Sequence, residues 1–345
     1  MDRYELRVFE DSDLGGVDNI GVKRNFAQEW RAPEFAVPVR TNNIGLRENQ
    51  DYHGDEIDIG FYGDSFTFGH GVRQDERYSD LLRDSMPGKK VLSFSYLNGW
   101  TTPHYYNFMR KYPERLPATA ILGLFLGNDL TTDMDETHIE IGPDGDLNRV
   151  IVTKRAVERR GFLVNRDRNP VTHLLSRSAF GELVLRSRIL DRADLVRKPC
   201  ATNVYPPLSF DMGELDDTNL LALSYVEKIN EHLEVRNKRL VVFLIVWAYY
   251  VGDYSCGHGP SAAQDIRQHQ YLTHRVSAWL DEHEIEYINP VPRFKELENE
   301  GVRLYFEGDA HWNPRGHRFA AELISDYLRR NESRPGFELR SSDRR

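Results

Sequence analysis

The sequence predicts an α/β protein whose core is a parallel sheet of about five strands covered by helices. Short apolar runs bounded by glycine or polar residues alternate with longer segments of helical periodicity. The apolar runs show no in–out alternation, which is typical of parallel strands that are buried on both faces. Together these two observations favour a helix-covered open sheet.

The elements follow one another in regular alternation. Helices are predicted from apolar residues at a spacing of three and four, and Asn313-Pro314 opens the last of them with proline near the first turn. The predicted strands are residues 57–62, 90–95, 119–126, 239–246 and 285–288. The predicted helices are residues 75–84, 102–115, 217–236, 262–282 and 315–329.

Three segments lie outside this alternation. Residues 1–55 are polar and irregular, and we expect a lead-in packed on a core domain of residues 56–330. Residues 131–215 form a long insertion after the third strand, with β-like runs at 138–141 and 150–153 around a turn and a basic, partly helical piece at 174–196. Connections of this length are usually functional, which favours a lid or specificity element over a solvent-facing decoration or a homodimer interface. Residues 331–345 are predicted to be a flexible tail.

Composition excludes several classes of protein. Of the 345 residues, 40% are apolar and 29% are charged, as in a soluble globular protein. The net charge of −9 argues against non-specific binding of nucleic acid. No run approaches the roughly 18 apolar residues of a membrane span, no secretory signal is visible, and Cys200 and Cys256 do not indicate a disulfide framework. We therefore expect a cytoplasmic protein without a membrane or nucleic-acid partner.

Four short segments follow apolar runs and carry reactive side chains. They are Gly63-Asp64-Ser65-Phe66-Thr67, Asn98-Gly99, Gly127-Asn128-Asp129 and Asp309-Ala310-His311-Trp312-Asn313. Chemistry in an open parallel sheet collects at the carboxyl ends of the strands, so these segments are expected to meet there.

Ser65 and His311 are the predicted nucleophile and base. A serine hydroxyl needs a base to remove its proton, and a carboxylate on the other imidazole nitrogen fixes the tautomer. Asp309 is the predicted acid, with Glu307 as a second candidate. The non-catalytic alternative is that Ser65 caps a helix and that His311 caps or packs at the start of another. The elbow G-x-S-x-G is absent, because Thr67 holds the second glycine position.

Oxyanion donors are predicted from the same segments. The candidates are the N–H of Ser65, the N–H of Gly99 and the side-chain amide of Asn128. The remaining histidines, His70 among them, are assigned to surface or packing roles, and we expect neither a metal nor a cofactor. Candidate substrate contacts, for which packing is the favoured alternative, are Asp64, Phe66, Trp100, Trp247, Tyr249 and Trp312.

In order and in placement at strand ends, the four segments resemble the blocks of the SGNH hydrolases, or GDSL lipase/acylhydrolase superfamily. Its serine, glycine, asparagine and histidine correspond here to Ser65, Gly99, Asn128 and His311. The lead-in residues 40–47 also resemble a segment that often precedes the first block. The resemblance implies a flavodoxin-like, three-layer α/β/α sandwich and ester hydrolysis through an acyl-serine, without a metal.

One departure from the family pattern bears on the reaction. Many members place the acid three residues before the histidine, a position that Gly308 holds here. The two-residue spacing of Asp309 resembles the branch that includes alginate O-acetyltransferase-like proteins. We therefore predict an esterase acting on a small or medium acyl ester of a sugar or natural product. An O-acyltransferase using the same acyl-serine and a non-catalytic binding protein on the same fold are the alternatives.

Overall fold

A computed structural model gives the fold. It describes residues 9–10, 21–22, 24–32, 34–95, 100–127, 129–130, 137–141, 147–152, 215, 217–254, 262–307, 309 and 311–332. Two short antiparallel pairs precede the main sheet, β1 (Phe9–Glu10) with β2 (Gly21–Val22) and β3 (Ala27–Ala32) with β4 (Phe35–Arg40). The hairpin of β3 and β4 corrects the expectation that the first 55 residues are irregular. Val37 and Val39 of β4 are buried in the core, since alternate residues of a strand point to one side.

The main sheet has five parallel strands, as predicted. They are β5 (Ile59–Gly63), β6 (Val91–Ser95), β7 (Thr119–Phe125), β10 (Arg239–Ile245) and β11 (Tyr287–Ile288), in the spatial order β11-β10-β7-β5-β6. Strands β8 (Thr137–Ile141) and β9 (Leu147–Val152) form a separate antiparallel pair inside the predicted insertion. The predicted helical piece at 174–196 lies outside the described residues.

The helices begin and end close to the predicted positions. They are α1 (Ser65–Phe68), α2 (Tyr78–Ser85), α3 (Thr102–Lys111), α4 (Asp217–Glu234), α5 (Ala248–Val251), α6 (Ala262–Glu282), α7 (Val291–Asn299) and α8 (Pro314–Glu332). Helix α2 packs on α8, and α3 packs on α4, so helices flank the sheet. Helices α5 and α7 were not predicted, and α8 extends three residues beyond the predicted end. None of the described helices has both the length and the apolar character needed to cross a membrane.

The strand order defines where a site is expected. Chain order reverses at β5, because β6 lies on one side of it and β7 on the other. In open α/β sheets, ligands bind outside the carboxyl ends of the strands at this switch point. Ser65 follows β5 directly, so the predicted nucleophile stands at the switch point.

Candidate active site

The turn after β5 is built around Thr67. A Cβ added to Gly63 would lie 2.0 Å from Oγ1 of Thr67, and one added to Gly123 would lie 2.7 Å from it. Thr67 also hydrogen-bonds the hydroxyl of Tyr78 at 2.8 Å. Glycine is therefore required at position 63 because of the close approach of Thr67. Thr67, at the position of the second glycine of G-x-S-x-G, fills the space beside Gly63 and Gly123.

Ser65 is the first residue of α1, a single helical turn. Asp64 is its N-cap, and the carboxylate accepts the N–H of Phe66 at 3.0 Å. The turn ends at Gly69, which adopts a left-handed conformation with φ of 84° and closes onto the carbonyl of Ser65. His70 follows, and its own N–H donates to the same carbonyl at 3.0 Å.

A short loop before α8 carries His311. Tyr305 and Trp312 form an antiparallel bridge, and the N–H of Phe306 donates to the carbonyl of His311 at 3.0 Å. Asn313 caps α8 by accepting the N–H of Arg315 at 2.8 Å. The base is thus held at both ends by backbone and cap hydrogen bonds.

Ser65, His311 and Asp309 meet as the sequence predicts. Oγ of Ser65 lies 2.7 Å from Nε2 of His311, and Nδ1 of His311 lies 2.5 Å from Oδ1 of Asp309. Asp309 Oδ1 also accepts the backbone N–H of His311 at 3.0 Å. Glu307, the second candidate acid, instead pairs with Arg303 at 2.9 Å. The geometry therefore selects Asp309 as the partner of His311.

The charge of Asp309 determines which nitrogen of His311 carries the hydrogen. Burial alone would raise the pKa of Asp309, but His70 and His311 hold it well below its usual range. An ionised carboxylate only accepts hydrogen bonds, so Nδ1 of His311 carries a hydrogen and Nε2 presents its lone pair to Ser65. This is the tautomer in which a histidine removes a proton from a serine.

His70 is a member of this cluster that the sequence analysis assigned to packing. Its Nε2 lies 2.8 Å from Oδ2 of Asp309, and its ring stacks on His311 with centroids 3.9 Å apart. Within the described part of the chain, His70, Asp309 and His311 form the single group whose ligand atoms could hold a metal ion. One nitrogen of each imidazole, Nε2 of His70 and Nδ1 of His311, already bonds Asp309. Both oxygens of Asp309 therefore have hydrogen-bond partners without a metal ion.

The other predicted oxyanion donors, Gly99 and Asn128, lie outside the described residues. The residues on either side of position 128 are described. Asp129 is fully buried, accepts the N–H of Phe125 at 2.9 Å and returns its own N–H to the carbonyl of Phe125 at 3.0 Å. This turn follows β7, the strand beside β5 at the switch point.

Most of the predicted substrate contacts are packing residues. Asp64, Phe66 and Trp312 have at most 1% of their surface exposed. Phe66 supports the base, since its ring lies 4.7 Å from His311 and 5.1 Å from Trp312. Trp100 and Trp247 are buried as well, while Tyr249 is half-buried and bonds His269 at 2.6 Å. The packing alternative is the better interpretation for these aromatic residues.

Part of the chain matches the model of a known protein family. The model of the SGNH hydrolase-like domain of the acetyltransferase AlgX matches residues 217–342, a span that contains Asp309 and His311. No curated protein matches the chain.

Several solved structures are similar at low identity. A member of the lipolytic G-D-S-L family from Veillonella parvula DSM 2008 is 12% identical with a TM-score of 0.42, over 79% of this chain and 99% of that one. The acetyl xylan esterase AlAXEase is 14% identical with a TM-score of 0.42, over 79% and 100%. A carbohydrate acetylesterase family member from Sinorhizobium meliloti is 9% identical with a TM-score of 0.40, over 79% and 98%.

Three independent features are similar to the SGNH hydrolases. The family model matches the C-terminal part of the chain, and the parallel sheet has the strand order that the resemblance implied. The serine of the first block and the histidine of the last, 246 residues apart, lie within hydrogen-bonding distance. Residues 217–342 are therefore similar to the SGNH hydrolase-like domain, within an α/β fold that has a parallel sheet of five strands.

Proposed function

We propose that this protein is a serine ester hydrolase that works through an acyl-serine intermediate. The observation that carries the proposal is the continuous chain of contacts from Oγ of Ser65 through His311 to Asp309, at 2.7 and 2.5 Å. Nucleophile, base and orienting acid in this geometry are the parts that acyl transfer requires.

The reaction follows from the proton assignment. Oγ of Ser65 attacks the ester carbonyl while its proton passes to Nε2 of His311. The tetrahedral intermediate then expels the alcohol, which takes that proton from His311, and the acyl group stays on Ser65. A water molecule repeats the sequence and releases the acid. Asp309 keeps its charge throughout and stabilises the imidazolium.

Charge on the former carbonyl oxygen must be met by donors that are already in position. The N–H of Ser65 is one such donor, at the start of α1. We assign the N–H of Gly99 and the amide of Asn128 as the others, from their correspondence to the family blocks. Removal of one such donor typically lowers turnover by about 10²–10³.

An acetyl group is the acyl group to test first. The matching family model describes an acetyltransferase, whose transferred group is small. Our proposed substrate class is therefore a small or medium acyl ester of a sugar or natural product. Acetyl esters are the first members of this class to test. The insertion at 131–215 is the segment we expect to limit acyl length.

Acyl transfer is the second candidate function. The match to an acetyltransferase domain favours it, as does the placement of the acid two residues before His311. The first half of the reaction is identical, and a sugar or metabolite hydroxyl then replaces water as the acceptor.

The test measures release of p-nitrophenol from its acetyl and butyryl esters by the wild type and by Ser65→Ala. We expect turnover that the variant loses by roughly 10³-fold or more. A fluorophosphonate probe should add to Ser65 of the wild type and not to the variant, as read by mass spectrometry. Failure of both assays would favour a non-catalytic binding protein. Candidate acceptor alcohols added to the ester assay separate the two enzymes, since a transferase forms the new ester in place of free acid.

A further inference from the structure

His70 lies against the side of Asp309 that His311 leaves free. The carboxylate divides its two oxygens, with Oδ1 bonding His311 at 2.5 Å and Oδ2 bonding His70 at 2.8 Å. A carboxylate held by one oxygen alone can rotate about its Cβ–Cγ bond. Held by both, it presents a fixed oxygen to His311.

The ring of His70 is held on three sides. It stacks on His311 at 3.9 Å with an interplanar angle of 15°, and it meets Trp30 edge-on at 4.3 Å and Phe35 at 5.3 Å. Trp30 and Phe35 belong to the N-terminal hairpin of β3 and β4. A Cβ added to the next residue, Gly71, would lie 2.8 Å from Phe35. The hairpin therefore covers His70 and fixes the direction of its Nε2.

His70 is also suited to act as a neutral donor. Burial lowers the pKa of His70, although the charge of Asp309 opposes this, and His311 and Arg47 lower it further. A neutral His70 donates Nε2–H to the ionised Asp309 without adding charge. A second imidazolium stacked on His311 would oppose the imidazolium that forms when His311 takes the proton of Ser65.

We propose that His70 is a positioning residue of the active site, which fixes the carboxylate of Asp309 from the side opposite His311 and so keeps His311 aligned on Ser65. The proposal extends the function proposed above and depends on it for its kinetic test. It also assigns a task to the N-terminal hairpin, which encloses the ring that performs the positioning.

The test compares two substitutions that separate the hydrogen bond from the packing. His70→Phe keeps an aromatic ring in the stack and removes the donor, whereas His70→Gln removes the ring and keeps a side-chain N–H near the position of Nε2. We expect His70→Phe to lower kcat by about 10- to 100-fold, the cost of a small misalignment, with KM close to the wild-type value. His70→Gln should recover most of the loss. His283→Phe, before β11 at the opposite edge of the sheet, is the matched control and should behave as wild type.

A spectroscopic measurement gives a readout that needs no substrate. The proton between Nδ1 of His311 and Oδ1 of Asp309 should give a far-downfield imidazole signal in the wild type, retained in His70→Gln and lost to exchange in His70→Phe. Thermal unfolding of each variant checks that the fold persists.

Each outcome decides one claim. Wild-type turnover in His70→Phe, or equal losses in the Phe and Gln variants, would overturn the positioning role while the esterase proposal stands. An inactive wild type would reject the esterase proposal, and the downfield signal would then decide whether His70 orders Asp309.

Discussion

The guanidinium of Arg47 donates a hydrogen bond of 2.6 Å to the carbonyl of Gly69, the residue that ends the turn carrying Ser65. Two further bonds reach the carbonyls of Phe68 at 2.8 Å and Val72 at 2.7 Å. Arg47 is 1% exposed, and burial lowers its pKa to about 9, which still leaves it charged at neutral pH. A buried cation thus holds the loop that contains His70.

Arg47→Met should destabilise the fold and the active site together. The substitution keeps an apolar stem and leaves three buried carbonyls without their donor, which costs about 3 kcal/mol of unfolding free energy or more. Urea unfolding measures the loss, and fluorophosphonate labelling of Ser65 should slow. Arg31→Met is the matched control, because Arg31 pairs with Glu29 on the surface and should contribute less than about 1 kcal/mol. Equal effects of the two substitutions would contradict the role of Arg47.

Asp309→Asn should abolish most turnover, whereas Glu307→Gln should not. An asparagine at 309 offers an amide that disfavours the tautomer of His311 needed for catalysis, and a change of this kind costs about 10⁴-fold in turnover. Glu307 bonds Arg303 rather than His311, so its neutralisation leaves the base oriented. Steady-state hydrolysis of p-nitrophenyl acetate by both variants compares the two candidate acids. A large loss in Glu307→Gln would show that the acid was wrongly assigned.

The sheet could be predicted from sequence because each of its strands is an apolar run. Strands β5 and β6 are buried along their whole length, so no alternation with polar residues obscures them. The predicted ends differ from the observed ones by at most two residues, since burial does not mark where pairing stops. The pairing of Ser65 with His311 followed from the rule that chemistry collects at strand ends.

Helix α7 and the hairpin of β3 and β4 were missed because their patterns are short or interrupted. Helix α7 has Val291, Phe294 and Leu297 buried at helical spacing, but it begins with prolines and is otherwise charged. The hairpin of β3 and β4 contains Pro38, which has no N–H to donate and fits a strand that is paired on one edge only. The spacing of buried residues in each element was the available signal.

The contact between His70 and Asp309 was not predicted, for a different reason. Asp309 is 239 residues away from His70, and spacing along the chain cannot report such a contact. The one usable clue was the position of His70 directly after the turn that carries Ser65. A histidine there returns to the same edge of the sheet as the nucleophile, because α1 is a single turn closed by Gly69.

Removal of metal ions should leave turnover unchanged. A divalent ion bound by His70, Asp309 and His311 would have to replace the hydrogen bonds at 2.5 and 2.8 Å and the hydrogen on Nδ1 of His311. Dialysis against EDTA followed by the ester assay checks this expectation. Excess Zn²⁺, which imidazole and carboxylate bind well, should inhibit, and His70→Gln should be less sensitive to it. Loss of activity on dialysis that Zn²⁺ restores would contradict the prediction.

His269 should make the fold sensitive to mild acid. It is fully buried on α6, its Nε2 lies 2.6 Å from the hydroxyl of Tyr249, and burial lowers its pKa to about 3. An unfolded histidine titrates near pH 6.5. Between these values the unfolded state binds a proton that the folded state does not, so the free energy of unfolding falls as pH falls from about 6.5 towards 3. Each pH unit in that window costs about 1.4 kcal/mol.

His269→Gln should therefore reduce the dependence of stability on pH, because glutamine takes up no proton. Urea unfolding at pH 7.5 and pH 5 should show a decrease that is smaller by about 2 kcal/mol in the variant than in the wild type. His274→Gln, at an exposed position on the same helix, is the control and should keep the wild-type decrease. The half-buried carboxylate of Asp309 has a lowered pKa, so its contribution to stability is lost only below an unfolded pKa of about 3.9 and does not enter this comparison. An identical decrease in His269→Gln and wild type would mean that the buried imidazole is solvated or paired in a way that lets it accept the proton.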